Sequence, residues 1–288
     1  MNTTVPQPTE LPRRYDGRAL TTPTADAGLP VPLPSVDPAL VGPALDLPSL
    51  ARHWRPIAAR ALMSAEAMRG ADLKAQRVGV PAERLMEEAG AAVAAAVRAL
   101  LVTAERTGHG PVLVLAGPGN NGGDGSVAAR YLAAAGIRVA CVLVATEDRP
   151  TTVDARRAWD RLEGTDVERI HAPNERDVRF LLAGIEKAAV IVDALLGSGV
   201  HGPLREPIRT AVDLVIRGRS AGVPVLAVDT PTAVDLTGGH ASDPVVRADV
   251  TVTFHRPKLG HATRIGKALA GRVLVAPIGI PAVADPDA

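Results

Sequence analysis

Carboxylates, carboxamides and glycines gather at three places along the chain, each just after a short aliphatic run. Val112–Leu115 leads into Ala116-Gly-Pro-Gly-Asn-Asn-Gly-Gly-Asp-Gly125. Val190–Val192 leads into Asp193-Ala-Leu-Leu-Gly-Ser-Gly199, which continues as Val200-His201-Gly202-Pro203. Val225–Val228 leads into Asp229-Thr-Pro-Thr232, with Asp235 and Gly238-Gly239 beyond. The first segment satisfies G-x-G-x-x-G through Gly117, Gly119 and Gly122, a pattern that lets backbone amides approach a phosphate at the start of a helix. Taken alone, it also fits a tight strand-to-helix turn that needs positive φ. No Lys-Ser/Thr pair follows the glycines, so a Walker A loop is excluded. Glu147 or Asp148 would be the ribose-binding acid of a dinucleotide fingerprint, and both fall late for that role. The density of Gly, Asn and Asp exceeds what a turn needs and points to a ligand site.

Asp193 and Asp229 each end an aliphatic run. Singly, either could cap the next turn or helix. Together, at what should be neighbouring strand ends, they make an acidic site able to hold a cation or stabilise developing positive charge. Asn121, Asp193 and Thr232 offer only oxygen ligands if the Asn carbonyl faces inward, and oxygen donors select hard cations.

The elements that must position these residues are readable from periodicity. Pro81 suits the first position of a helix, and Leu85, Ala89, Val93, Val97 and Leu100 then recur every three or four residues. Six aliphatic runs read as strands: the three already given, Val139–Val144, Val250–Phe254 and Val273–Val275. Helical stretches are expected near Ser126–Ala135, Val153–Leu162, Val178–Lys187 and Ile208–Arg217. Uninterrupted aliphatic strands alternating with helices predict a doubly wound α/β domain, a Rossmann-like three-layer sandwich with a mostly parallel sheet. Ligands in such folds bind beyond the carboxyl ends of the strands, where all three polar segments fall. The predicted domain runs over 56–288. Residues 1–55 hold ten of the 25 prolines and include Leu29-Pro-Val-Pro-Leu-Pro34, so they are expected to form a disordered or loosely draped arm. Acidic residues among Arg13, Arg14 and Arg18 argue against a transit peptide there.

Bulk composition narrows the partners. The 288 residues carry 32 Lys plus Arg against 31 Asp plus Glu, a formal charge of +1. That balance gives no reason to expect nucleic acid or an anionic membrane surface. Aromatics make up 2% of the chain, too few for base-stacking platforms. The single cysteine, Cys141, excludes an intrachain disulfide and a multi-cysteine metal cage, and a cytoplasmic location is expected. Cys141 itself lies in an apolar run and reads as inert core.

The segments Gly117–Gly125 with Val127-Ala-Ala-Arg130, Val192–Gly199 with Pro203-Leu204 and Pro207, and Val228-Asp229-Thr-Pro resemble the NAD(P)H-hydrate epimerase family, the YjeF N-terminal domain family. Pro257-Lys258-Leu-Gly260, Ala67-Met68-Arg69 with Asp72, and Leu85-Met-Glu-Glu-Ala-Gly90 extend the resemblance over roughly residues 62 to 282. It implies interconversion of the S and R forms of NADH and NADPH hydrated at C6 of the nicotinamide ring (NADHX and NADPHX). It further implies substrate contacts from Asn120, Asn121, Gly122, Gly123 and Asp124, from Gly197, Ser198, Gly199, Val200, His201, Gly202 and Pro203, and from Asp229. A potassium ion would be held by Asn121, Asp193 and Thr232. A homodimer is left open, as is a separate NAD(P)H-hydrate dehydratase as a working partner. Relatives often carry a dehydratase domain after this one, and since the chain stops at Ala288 that activity is expected to be absent. Where the family usually has Pro-Ser-Gly, this chain has Pro231-Thr232-Ala233. Threonine keeps the hydroxyl oxygen, whereas alanine matters if φ there is positive.

Epimerising such a C6 hemiaminal requires the C6–OH bond to break and water to return from the opposite face, or the ring to open reversibly. A general acid must protonate the leaving hydroxyl, and Asp229 is the expected donor, with Asp124 second. His201 reads as a plain loop residue or as one that orients substrate or donates a proton. His255 and His261 are expected at the surface or against a phosphate, and Lys258 as a phosphate ligand or a solvated loop lysine. Two other functions compete: an inactive nucleotide-binding scaffold, and an NAD-dependent dehydrogenase that would leave Asp193 and Asp229 without a role.

Overall fold

A computed structural model of the chain describes residues 31–197, 202–235, 240–285 and 287. Seven strands form one sheet in the order β3-β2-β1-β4-β5-β6-β7. They are β1 (Val112–Ala116), β2 (Val139–Val144), β3 (Val167–Ala172), β4 (Val190–Ala194), β5 (Val225–Val228), β6 (Val250–Phe254) and β7 (Arg272–Ala276), and every neighbouring pair is parallel. The six expected strands are present. β3 was not foreseen, because its sequence VERIHA is polar at the middle positions. As the edge strand it needs only one hydrogen-bonded flank and tolerates charge.

The helices are α1 (Leu47–His53), α2 (Arg55–Ala58), α3 (Ala65–Arg77), α4 (Ala82–Thr103), α5 (Asn120–Ala134), α6 (Val153–Asp160), α7 (Glu175–Phe180), α8 (Ile208–Ser220), α9 (Leu259–Ala262) and α10 (Arg264–Ala270). Strand residues alternate between two cores. Val112, Val114 and Ala116 face the layer built from α4 and α5, while Leu113 and Leu115 face the layer of α8. That alternation is the three-layer sandwich. Among the described residues, no helix is long and apolar enough to cross a membrane.

Two expectations change. The helix expected from Ser126 begins six residues earlier, at Asn120, so the Asn/Gly/Asp segment is its first turns rather than a loop. Residues 31–55 are not a loose arm. A 3-10 turn at Pro38–Leu40 and helix α1 bury Leu40, Leu47, Leu50 and Trp54 in the core that holds α4 and β1. Prolines start these elements rather than prevent them: Asp37 and Asp46 cap the two helices, each followed by Pro within the first turn, where no amide is needed. Ser35 gives its amide (2.9 Å) and hydroxyl (2.7 Å) to Glu88 of α4. Arg98 of α4 donates to the Leu40 carbonyl at 2.9 Å. Residues 1–30, the rest of the expected arm, lie outside the described residues.

Candidate active site

From β1 the chain winds outward through β2 and β3, then returns to place β4 on the other side of β1. A cleft of about 680 Å³ opens where this reversal parts the connections, the place such folds reserve for ligands. Among its lining residues are Asn120, Asn121 and Asp124 of α5, Gly197 after β4 and Asp229 after β5. From α3 come Arg69, Asp72 and Gln76. Arg69 is the one cation among the described lining residues, which also include Asp72, Asp124, Asp154 and Asp229.

Close approach, not backbone conformation, explains the glycines of the first segment. None of those from 117 to 125 has positive φ. A β-carbon on Gly117 would lie 1.7 Å from the Leu195 carbonyl oxygen, and one on Gly122 1.9 Å from that of Gly117. One on Gly123 would strike the Met86 side chain at 2.6 Å, and one on Gly125 the Ala194 β-carbon at 2.6 Å. These contacts seat the front of α5 against β4 and α4. Gly122 and Gly123 are therefore buried packing positions, outside the cleft lining. Gly119 precedes the helix with no side-chain cap, which leaves the first amides of α5 without intrahelical acceptors. Residues sequence reasoning missed brace this end. The Thr151 amide donates to the Pro118 carbonyl at 2.8 Å, and the Thr152 hydroxyl donates to Asn120 Oδ1 at 2.6 Å. Their polar types after β2 were the available signal.

Three of the four cleft carboxylates, Asp72, Asp124 and Asp229, act on one another electrostatically. Asp124 is pushed well above the usual carboxylate range, by burial first and then by the Asp229 and Asp72 charges. Asp72 is raised by burial and by Asp229. Asp229 sits at φ 61°, flanked by a hydrogen bond from the Thr230 amide to the Val228 carbonyl at 2.7 Å. That is a γ-turn with its central residue in the left-handed region, a strained arrangement common at functional sites. Its Oδ1 accepts from the Thr253 hydroxyl of β6 at 2.8 Å.

Asp193, in β4, is fully buried and outside the cleft lining. It accepts from the Thr232 amide (2.7 Å) and hydroxyl (2.6 Å), and burial raises it to about 6 against those bonds. Asp193 and Thr232 are thus brought together as expected. Asn121 is buried in the cleft wall against Gly197, and its amide nitrogen has no partner among the described residues. A buried carboxylate, a hydroxyl, a carboxamide and the Leu196 carbonyl, 3.4 Å from the Thr232 hydroxyl, make an oxygen-donor set. It fits a hard cation better than zinc or copper. Ala233 has φ 76°, so the position where the family usually has glycine does demand the left-handed region.

Other expectations divide. Gly202 lines a smaller neighbouring cavity with Gly197, and Pro203 is exposed and outside the cleft lining. Ser198, Gly199, Val200 and His201 lie outside the described residues. His255, His261 and Lys258 are buried rather than superficial: Met63 pairs with the segment after β6 at Lys258, and His255 bonds Asp285 at 2.8 Å. Glu147 and Asp148 do not line the cleft, which leaves the dehydrogenase reading without its ribose acid.

Fold and site together define a Rossmann-like α/β protein with an acid-lined cleft at the switch point of its sheet. The family described as YjeF-related protein N-terminus matches residues 82–260, and the chain belongs to that family. The bifunctional NAD(P)H-hydrate repair enzyme Nnr of Pyrobaculum aerophilum is 41% identical over 215 residues, covering 75% of this chain and 41% of that protein. The NAD(P)H-hydrate epimerase of Cenarchaeum symbiosum is 38% identical over 205 residues, covering 70% of this chain and 87% of that protein. The crystal structure of yeast ynu0, YNL200c, aligns with a TM-score of 0.60 at 27% identity, covering 70% of this chain and 83% of that one. The chain spans about two fifths of the bifunctional relatives' length.

Proposed function

We propose that the chain epimerises NADHX and NADPHX at C6. The carrying observation is the cleft that gathers Asn120, Asn121, Asp124 and Asp229 at the switch point, in a family whose members include proteins named for this reaction. The hemiaminal C6–OH leaves as water once protonated, and the N1 lone pair forms an iminium. Asp124, whose pKa burial and the neighbouring Asp229 and Asp72 charges raise well above the usual carboxylate range, is the better proton donor of the two expected acids. Water then adds to C6 from the opposite face and releases a proton to a second carboxylate, a role for Asp229. The negative cleft stabilises the cation between the two steps. Arg69 and the open amides of α5 meet the anionic phosphates of the substrate.

Asn121, Asp193 and Thr232 would hold a potassium ion, which would supply fixed positive charge beside the acidic cleft. Potassium should raise the Tm of the full chain above its value in a bulky organic cation, and Asp193→Asn should shrink that difference. Equal Tm in both salts for both proteins argues against the ion. The reaction itself is tested by feeding the separated S hydrate and following appearance of the R form by chromatography. Binding without conversion would favour the inactive-scaffold reading. A separate dehydratase acting on one epimer would be the natural consumer of the product.

A further inference from the structure

Lys258 is one of the largest fully buried side chains, with 1% of its surface exposed. Among the described residues no carboxylate lies within salt-bridge reach of its ammonium. An unpaired buried ammonium is costly, so its surroundings must compensate it. Its Nζ donates to three oxygens: the Phe254 carbonyl at 2.7 Å, the Arg256 carbonyl at 2.8 Å and the Thr253 hydroxyl at 3.1 Å. Thr253 in turn is 2.8 Å from Asp229 Oδ1. The direction of this chain is forced. An ammonium only donates and a carboxylate only accepts, so the hydroxyl must accept from Lys258 and give its hydrogen to Asp229.

Resting on the epimerase reading, we propose that Lys258 and Thr253 form a buried relay that fixes the orientation of the Asp229 carboxylate, making both positioning residues of the reaction. Two further observations support it. Asp229 and His255 both occupy γ-turns, at φ 61° and 66°, at the ends of adjacent strands. The Lys258 ammonium bonds the carbonyls on both sides of His255 and so locks the second turn while reaching the first through Thr253. Burial also lowers Lys258 to about 8, with the Asp229 charge opposing that shift and Arg256 adding to it. His261, buried with neither ring nitrogen partnered among the described residues, is pushed to about 4 and stays neutral beside them. Asp72 and Asp124 are the remaining titratable groups on which the Asp229 charge acts.

Thr253→Val keeps side-chain shape and strand preference but removes the hydroxyl, and Thr253→Ser keeps the hydroxyl. In the full chain, Thr253→Val should lower kcat for epimerisation about tenfold or more, the worth of a hydrogen bond to a charged group. KM should move much less, and Thr253→Ser should recover most of the rate. A Thr253→Val enzyme at wild-type kcat, or a Thr253→Ser enzyme as slow as Thr253→Val, overturns the relay. The second arm needs no activity: the Lys258 midpoint is read by NMR in substrate-free protein. It should fall in both Thr253→Val and Asp229→Asn, and an unchanged midpoint in both overturns the relay. If wild-type protein has no epimerase activity, the proposed reaction fails, and the NMR arm alone decides the relay.

Discussion

Asp124 is where local chemistry has the sharpest consequence. An ordinary aspartate titrates near ~3.9, whereas burial and the neighbouring Asp229 and Asp72 charges hold this one protonated well above that. The folded chain therefore keeps a proton that the unfolded chain releases. Its contribution to stability falls as pH rises from the unfolded value through the raised folded one. Asp124→Asn removes that dependence, so urea midpoints measured across this window should decline less steeply in the variant than in wild type. The same substitution should lower epimerase kcat by roughly 10²–10⁴, the usual worth of a general acid, with a smaller change in KM. Wild-type kcat should itself fall on the alkaline side as Asp124 ionises. A full-rate Asp124→Asn enzyme would return the donor role to Asp229. The types and spacing of these acids were readable from sequence. Which one keeps its proton was not, because that depends on burial and on charges brought in from α3 and β5.

At the scale of elements, the junction of β1 and α5 shows why glycine recurs there. The motif was legible, but the turn reading gave it the wrong physical cause. Gly122→Ala would place a β-carbon 1.9 Å from the Gly117 carbonyl oxygen, and backbone there cannot yield without moving α5 off β4. Overpacking of this kind costs about 1–3 kcal/mol or more, so Gly122→Ala should lower Tm clearly and raise KM by displacing Asn120 and Asn121. Gly119→Ala is the control: φ is −96° and nothing lies within 4 Å of the added carbon. Its Tm should stay at the wild-type value. Equal melting of the two variants would contradict the packing argument.

Over the whole molecule, residues 31–54 are part of the core. Deleting residues 1–54 removes Leu40, Leu47, Leu50 and Trp54 from a shared hydrophobic cluster. At roughly 2 kcal/mol per buried side chain, that loss rivals the total stability of a domain, about 5–15 kcal/mol. The shortened chain should melt many degrees lower or fail to fold, read by calorimetry or circular dichroism. Wild-type melting would mean the segment adds nothing to the core.

A signal for that cover was present in the helix it covers. Gly90-Ala-Ala-Val-Ala-Ala-Ala-Val97 is apolar on every side, and 15 of the 22 residues of α4 are buried. A helix without a polar face must be covered all round. Local sequence by itself determined the aliphatic strands, their parallel alternation with helices, and the three polar segments at strand ends, because these follow from periodicity and turn chemistry within a few residues. It could not say which segment closes over α4, that α5 begins at Asn120, or that Lys258 reaches Asp229 through Thr253. Those outcomes depend on contacts between residues distant in the chain. There, close approach, desolvation and hydrogen-bond direction act only once the layers have come together.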